Sequence, residues 1–184
     1  GAWRHAAGGM LLSASGWFAA VKNDAVLQRP DLLAGRRPRT INMSTIGDDL
    51  LRDTSAGFGP KVEAVIVYNS NPVAVAPESR KVVREHFLTD TADHADIVLP
   101  ATTQLEHWDV HTSYGHTYVL LNEPAIAPRG QAKSNAEIFR LLAARMGFTG
   151  PCFADDDEAL ARQALNSSID FAELQQRGWV KLPI

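Results

Sequence analysis

Cysteine is almost absent from this chain, with Cys152 the single one among 184 residues. One thiol excludes an intramolecular disulfide, a cysteine-rich zinc site and an iron–sulfur cluster built from the chain's own ligands. Cys152 follows the turn pair Gly150-Pro151 and reads as a half-buried filler rather than a nucleophile. Positive charge is not in excess either. Eighteen Lys and Arg against 21 Asp and Glu leave a net charge of −3, no electrostatic footprint for nucleic acid. No apolar run approaches the roughly 20 residues that cross a bilayer, so no membrane span is expected. The opening Gly1-Ala2-Trp3-Arg4-His5 lacks the basic-then-apolar layout of a signal peptide and an initiating Met. A processed N-terminus or a piece of a longer protein is the expectation. Internal repeats and low-complexity segments are also missing.

What remains is ordinary globular composition, 45% hydrophobic and 21% charged. The length has room for one domain with a proper core, or a domain with an appendage. Gly8-Gly9 before Met10-Leu11-Leu12 lacks the spacing of a dinucleotide fingerprint and reads as packing. Pro30, Gly35 and Pro38, with Arg36, Arg37 and Arg39 among them, mark an exposed basic turn. Ser44 is placed to cap a short helix through Leu51. Ala64-Val-Ile-Val-Tyr68 is a β-branched apolar run and reads as a central strand, ending in the turn-forming Asn69-Ser-Asn-Pro72. Pro77 and Glu78 open a helix that runs to about Arg84. Ile97-Val98-Leu99, fenced by Asp96 and Pro100, reads as a second short buried strand.

The middle of the chain is therefore strand, loop, helix, strand, one βαβ unit. Ligands of open α/β sheets bind beyond the carboxyl ends of the strands, which here are Asn69–Pro72 and Pro100–Glu106. Farther on, Tyr114–Leu121 looks extended. Ser134-Asn-Ala-Glu137 is a capping box opening a helix that Gly147 is placed to end. Asp155–Glu158 puts acids at the start of another helix, Phe171–Arg177 forms a last helical turn or two, and Trp179 anchors the tail. The expected class is α/β, a partial Rossmann-like sheet with flanking helices, incomplete in this chain. Residues 1–150 form the sheet domain and 151–184 a helical extension.

The segment Thr89–Glu106 has the pattern small-x-small-small-x-x-Ala-Asp-apolar-apolar-Leu-Pro-x-small-small-x-x-Glu across 18 residues. It resembles a motif of the molybdopterin oxidoreductases of the dimethyl sulfoxide reductase type. Thr40-Ile-Asn-Met43, Val67–Pro72 and Asn122–Ile126 through Phe139–Ala143 resemble further landmarks of the same family, so the resemblance covers roughly the whole chain. It implies a Rossmann-like domain holding the guanosine end of a molybdopterin guanine dinucleotide. Carried over residue by residue, Asn69, Asn71 and Pro72 lie near the nucleotide. Glu85 accepts hydrogen bonds from the guanine edge, whose adjacent N–H donors suit a carboxylate. Thr89, Thr91 and Thr102 contact ribose or phosphate.

Two departures qualify this. The family has a further strand and turn before the acid, whereas Lys81-Val-Val-Arg84 runs straight into Glu85, short by roughly a dozen residues. Either residues of the protein are missing from the sequence at Val83–Arg84 or the chain is truly shortened there, and in the second case the role of Glu85 weakens most. The family's metal ligand, cluster cysteines and C-terminal barrel are not recognisable, and the cofactor carries the chemistry. The resemblance thus implies a cofactor-binding fragment with no catalytic or metal-binding residues of its own, inactive alone, whose partner is the rest of a larger oxidoreductase chain or subunit. Open sheet edges also allow a homo-oligomer. The intact enzyme is expected in the cytoplasm, with the periplasm as the alternative.

Two rival readings stay open. His107, Asp109 and His111 alternate as strand residues do and could chelate a metal for hydrolysis, with His116 nearby and Glu106 as base. The chain could otherwise be a non-catalytic interaction module.

Overall fold

The computed structural model describes residues 15–52, 57, 59–72, 89 and 91–183. Glu85, the helix expected from Pro77 and the junction at Val83–Arg84 lie outside the described residues. The chain divides into two units, one from residues up to 35, 103–129 and 134 onward, the other from 36–102 and 130–133.

The first unit is built on a three-stranded antiparallel sheet of β1 (Asp109–His111), β2 (Tyr118–Asn122) and β3 (Trp179–Lys181), in the order β1-β2-β3. β1 pairs with β2 through Val110 and Leu121, and β2 with β3 through Val119 and Val180. The turn before β2 contains Gly115 at φ 83°, a left-handed conformation that a side chain would strain. β2 alternates as a half-buried strand should: Val119 is fully buried while Leu120 faces out. On the inner face Val119 meets Phe18, Val21, Leu165, Ile169, Phe171, Leu174 and Leu182, with Val110, Leu121 and Val180 packed around them.

Helices close this core. α1 (Ser15–Ala19) contributes Phe18, and α2 (Asp24–Gln28) follows it. Asn166 ties the α1 end in place, its N–H donating to Val21 O at 2.8 Å and its amide to Ala20 O at 2.8 Å. The second unit holds α3 (Ile46–Leu51). Back in the first, α4 (Asn135–Arg145) begins as the capping box requires, with Ser134 Oγ accepting from Glu137 N–H at 3.1 Å. It ends at Gly147, φ 79°. α5 (Asp157–Gln163) is capped by Asp156, and α6 (Phe171–Arg177) by Asp170, whose carboxylate accepts from the Ala172 and Glu173 N–H groups. The stretch 151–183 supplies β3 and much of the core as well as helices. Trp179 does anchor the tail: it packs edge-on against Tyr118, centroids 5.3 Å apart, under the Arg177 guanidinium at 4.1 Å.

In the second unit, α3 is preceded by a 3-10 turn at Met43–Thr45. The residue at the cap of α3 is not Ser44, as its residue type suggested, but Thr45, which makes no side-chain capping bond; Asn42 caps the 3-10 turn instead, its Oδ1 accepting from Ser44 N–H at 2.9 Å. An Asn just ahead of the turn reaches the free N–H groups first. The two apolar runs also differ from expectation. Ala64–Tyr68 and Ala95–Leu99 form no strand and join no ladder among the described residues, and Asp96 bends the second run. Val67 is buried, yet Ile97 is 72% exposed. An apolar run becomes a buried strand only where a neighbouring backbone pairs with it. The mixed helix-and-sheet class holds, with the sheet incomplete.

Candidate functional site

The sequence points to two segment ends as the site, and the second unit shows what those ends do. Asn69 follows the first apolar run in a left-handed conformation, φ 52°, at a bend where its side chain is exposed. An Asn tolerates this region better than most residues because its amide can bond locally. Two residues on, Asn71 is half-buried. Its Oδ1 accepts a hydrogen bond from the Thr91 hydroxyl, twenty residues distant. Thr91 is fully buried. Thr89 Oγ1 in turn accepts from Ala92 N–H at 3.3 Å, and Thr89 O from Asp93 N–H at 3.1 Å, which winds Ala92–His94 into a 3-10 turn. Asn71, Thr89 and Thr91 thus form one connected group beside Asn69 and Pro72.

Thr102 is also buried, at 1% exposure, on a different support. Its N–H donates to Lys133 O at 3.1 Å, while Lys133 N–H donates to Pro100 O at 3.2 Å. These two bonds make the parallel bridge of Ala101 with Lys133. The hydroxyl-bearing flanks of the apolar run are therefore its best-buried polar residues, although the run itself is exposed.

In the first unit, Glu106 ends the same motif. Its Oε2 accepts from both Thr103 N–H and Thr103 Oγ1, each at 2.8 Å, and its Oε1 accepts from Arg129 N–H at 2.8 Å. These bonds, the Thr103 N–H first among them, hold the carboxyl below the usual carboxylate range. The spacing Thr103-x-x-Glu106 is the half of a capping box in which the acid reaches back to the backbone three residues earlier, so this tie is legible in the sequence. The bond to Arg129 has no such signal.

The alternating His107, Asp109 and His111 do not assemble a chelate. Asp109 and His111 share a face of β1 with 3.9 Å between His111 Nδ1 and Asp109 Oδ2, and Asp109 Oδ1 is engaged by Val110 N–H at 2.7 Å. Among the described residues no group of three His, Cys, Asp or Glu side chains could hold a metal ion. Among them, too, no helix is long and apolar enough to cross a membrane. Cys152 lines a cavity of about 640 Å³ with Val26, Leu32, Phe139 and Phe153, as a half-buried filler would.

The sequence profile of the molybdopterin oxidoreductase family matches residues 55–145. The probable oxidoreductase YoaE of Bacillus subtilis is 42% identical over 98% of this chain and 28% of its own length. That alignment runs over 200 positions although this chain has 184 residues, so the relative carries residues that this chain lacks. The dimethyl sulfoxide/trimethylamine N-oxide reductase of Rhodobacter capsulatus is 30% identical over 78% of this chain and 20% of its own. Acetylene hydratase from Pelobacter acetylenicus superposes with a TM-score of 0.46, at 28% identity over 56% of this chain and 15% of that one. The chain spans less than a third of the length of these relatives.

Proposed function

The chain belongs to the molybdopterin oxidoreductase family, and from that we propose that it is the part of such an enzyme that holds the guanosine end of a molybdopterin guanine dinucleotide. The family implies a molybdenum–pterin cofactor. The finer assignment, to the guanosine end, rests on the chemistry of the donor set. Asn69, Asn71, Thr89, Thr91 and Thr102 are neutral amides and hydroxyls, and the sixth side chain, Glu85, is acidic. Neutral donors and acceptors suit a ribose and a purine edge, whereas a pyrophosphate calls for cations or several backbone N–H groups. The residues therefore fit a nucleoside better than its phosphates. When bound, the cofactor supplies the redox chemistry, and these residues bind and orient its far end.

The observation that carries the reading is the Thr91–Asn71 hydrogen bond. It joins the end of the first apolar run to the start of the family motif across twenty residues. Two segments that resemble separate landmarks of one family are thereby parts of one structural group. Asn69 stands exposed beside it, the best placed of the set to meet a ligand. With no metal ligand or cluster cysteine recognisable, the chain by itself does no redox catalysis on this reading.

Titration of the isotope-labelled chain with GMP tests it. Amide resonances of Asn69, Asn71, Thr91 and Thr102 should shift saturably. Shifts confined to His107–His116, or none at millimolar nucleotide, would refute the assignment.

A further inference from the structure

The two edges of the sheet in the first unit are not alike. Its hydrogen-bond phase is fixed by the bonds that flank the β2–β3 ladder, Leu121 N–H to Gly178 O at 3.0 Å and Leu182 N–H to Thr117 O at 2.8 Å. Bonded and unbonded pairs alternate along an antiparallel ladder, so Val119 and Val180 exchange bonds while the backbone of Trp179 and Lys181 points away from β2. Among the described residues no backbone N–H or C=O of Trp179 or Lys181 has a partner. On β1 the same alternation turns the Val110 N–H outward, but there the Asp109 carboxylate accepts it at 2.7 Å. The β1 edge is thus blunted, whereas β3 offers a row of unpaired donors and acceptors.

We propose that β3 is a self-association edge: two copies of the chain pair β3 with β3, antiparallel about a two-fold axis at Val180, into one six-stranded sheet. The occupant follows from the self-complementarity of the edge. The register centred on Val180 sets Trp179 of one copy opposite Lys181 of the other, and it alone pairs every free group of both edges. A slip by two residues sets Trp179 opposite Trp179, or Lys181 opposite Lys181, and leaves half of those groups unpaired. Because the axis repeats each contact, the same two residues serve both sides. The side chains agree with this register. Trp179 and Lys181 are both exposed on the outer face of the sheet. Lys181 Nζ already lies 5.8 Å from the centroid of its own Tyr118 ring. In the paired sheet it comes between that ring and Trp179 of the second copy, one cation with an aromatic neighbour on each side. A lysine on an edge ordinarily discourages pairing, and like charges directly opposite are destabilising; the Val180 register never sets lysine against lysine.

Analytical ultracentrifugation of the whole chain from micromolar to millimolar concentration, with amide hydrogen exchange, tests the proposal. The mass should rise from 20.0 kDa toward twice that value, and the Trp179 and Lys181 amides should become protected as it does, the Val110 amide not. Lys181→Pro removes an N–H that β2 does not use, so the sheet keeps its own bonds while association weakens by about ten-fold or more. Asp109→Ala, at the other edge, should associate as the wild type does. A wild type that stays at 20.0 kDa through millimolar concentration overturns the proposal and leaves the edge to another segment of a larger oxidoreductase. So does a dimer whose Trp179 and Lys181 amides exchange as in the monomer, a Lys181→Pro variant that associates undiminished, or an equal loss in Asp109→Ala. If Lys181→Pro does not fold, Lys181→Ala keeps the backbone donors and deletes the cation from both symmetric contacts: a loss of about five-fold supports the pairing and unchanged affinity overturns it.

Discussion

Arg129 donates its backbone N–H to Glu106 Oε1 at 2.8 Å, across 23 residues, so a family motif's last side chain holds a segment that no local rule connects to it. The Arg129 side chain adds a smaller favourable charge effect in the same direction. The pH dependence follows from the sign. The folded-state pKa of Glu106 lies below its ordinary value, so its contribution is complete above the ordinary carboxylate range and is lost as pH falls through the folded-state value. Urea midpoints of wild type and Glu106→Gln should therefore differ at pH 7 and converge as pH is lowered below that range. A constant difference down to acid pH would contradict this. The comparison with the variant matters because Asp31, also held below its ordinary value by the Arg29 guanidinium, is common to both proteins.

The core should respond to truncation according to burial. Leu174 has no exposed surface and sits in one cluster with Val119 and Phe171. Leu174→Ala should cost about 2–5 kcal/mol of unfolding free energy. Leu141, half exposed on α4, should tolerate alanine within about 0.5 kcal/mol. Denaturant melts of the two variants check the contrast.

Ser134 is a cap whose hydroxyl has one clear task. Ser134→Ala should lower stability by about 1 kcal/mol through loss of the Glu137 N–H bond, and Ser134→Asp should restore most of it. Circular dichroism melts would show a failure of the Asp rescue, which would mean the buried Ser134 acts by packing instead.

Thr91 separates binding from folding. Thr91→Val keeps the shape but leaves Asn71 Oδ1 without its donor, at a cost of about 1–3 kcal/mol. The GMP-dependent shifts of Asn69 and Asn71 should weaken with it. Full nucleotide response in a destabilised Thr91→Val would detach this group from the site.

Intact mass and peptide mapping decide whether the chain is continuous and short near Val83–Arg84, as a true deletion there predicts. The intact mass should be 20.0 kDa, and cleavage after glutamate should release the peptide Ser79–Glu85. A larger mass together with loss of the Ser79–Glu85 peptide would instead show residues between Ser79 and Glu85 and would support Glu85 as the guanine acceptor.

Much of the fold is legible in the sequence. The α4 box at Ser134, the helices after the acidic run and at Phe171, the stop at Gly147 and the extended stretch ending in Leu121 all follow from patterns within one or two turns of chain. The family motif is legible for the same reason, since its 18 residues are contiguous. Legibility ends where an outcome needs a distant partner. Ala64–Tyr68 and Ile97–Leu99 have strand composition, but composition supplies no pairing neighbour, and none is found among the described residues. His107, Asp109 and His111 have chelate spacing, but spacing alone does not bring three ligands to one point.

The sequence by itself determined the Ser134 cap, the stop at Gly147 and the kinship, because each depends on side chains reaching backbone within about four residues, on a local backbone preference or on an unbroken string of residue types. Tertiary structure alone decided that Thr91 bonds Asn71, that Lys133 bridges Ala101, and that Glu106 grips Arg129. Those pairs stand 20 to 32 residues apart along the chain. A hydrogen bond needs its donor and acceptor within about 3 Å, and over such separations only the packed fold decides which groups arrive there.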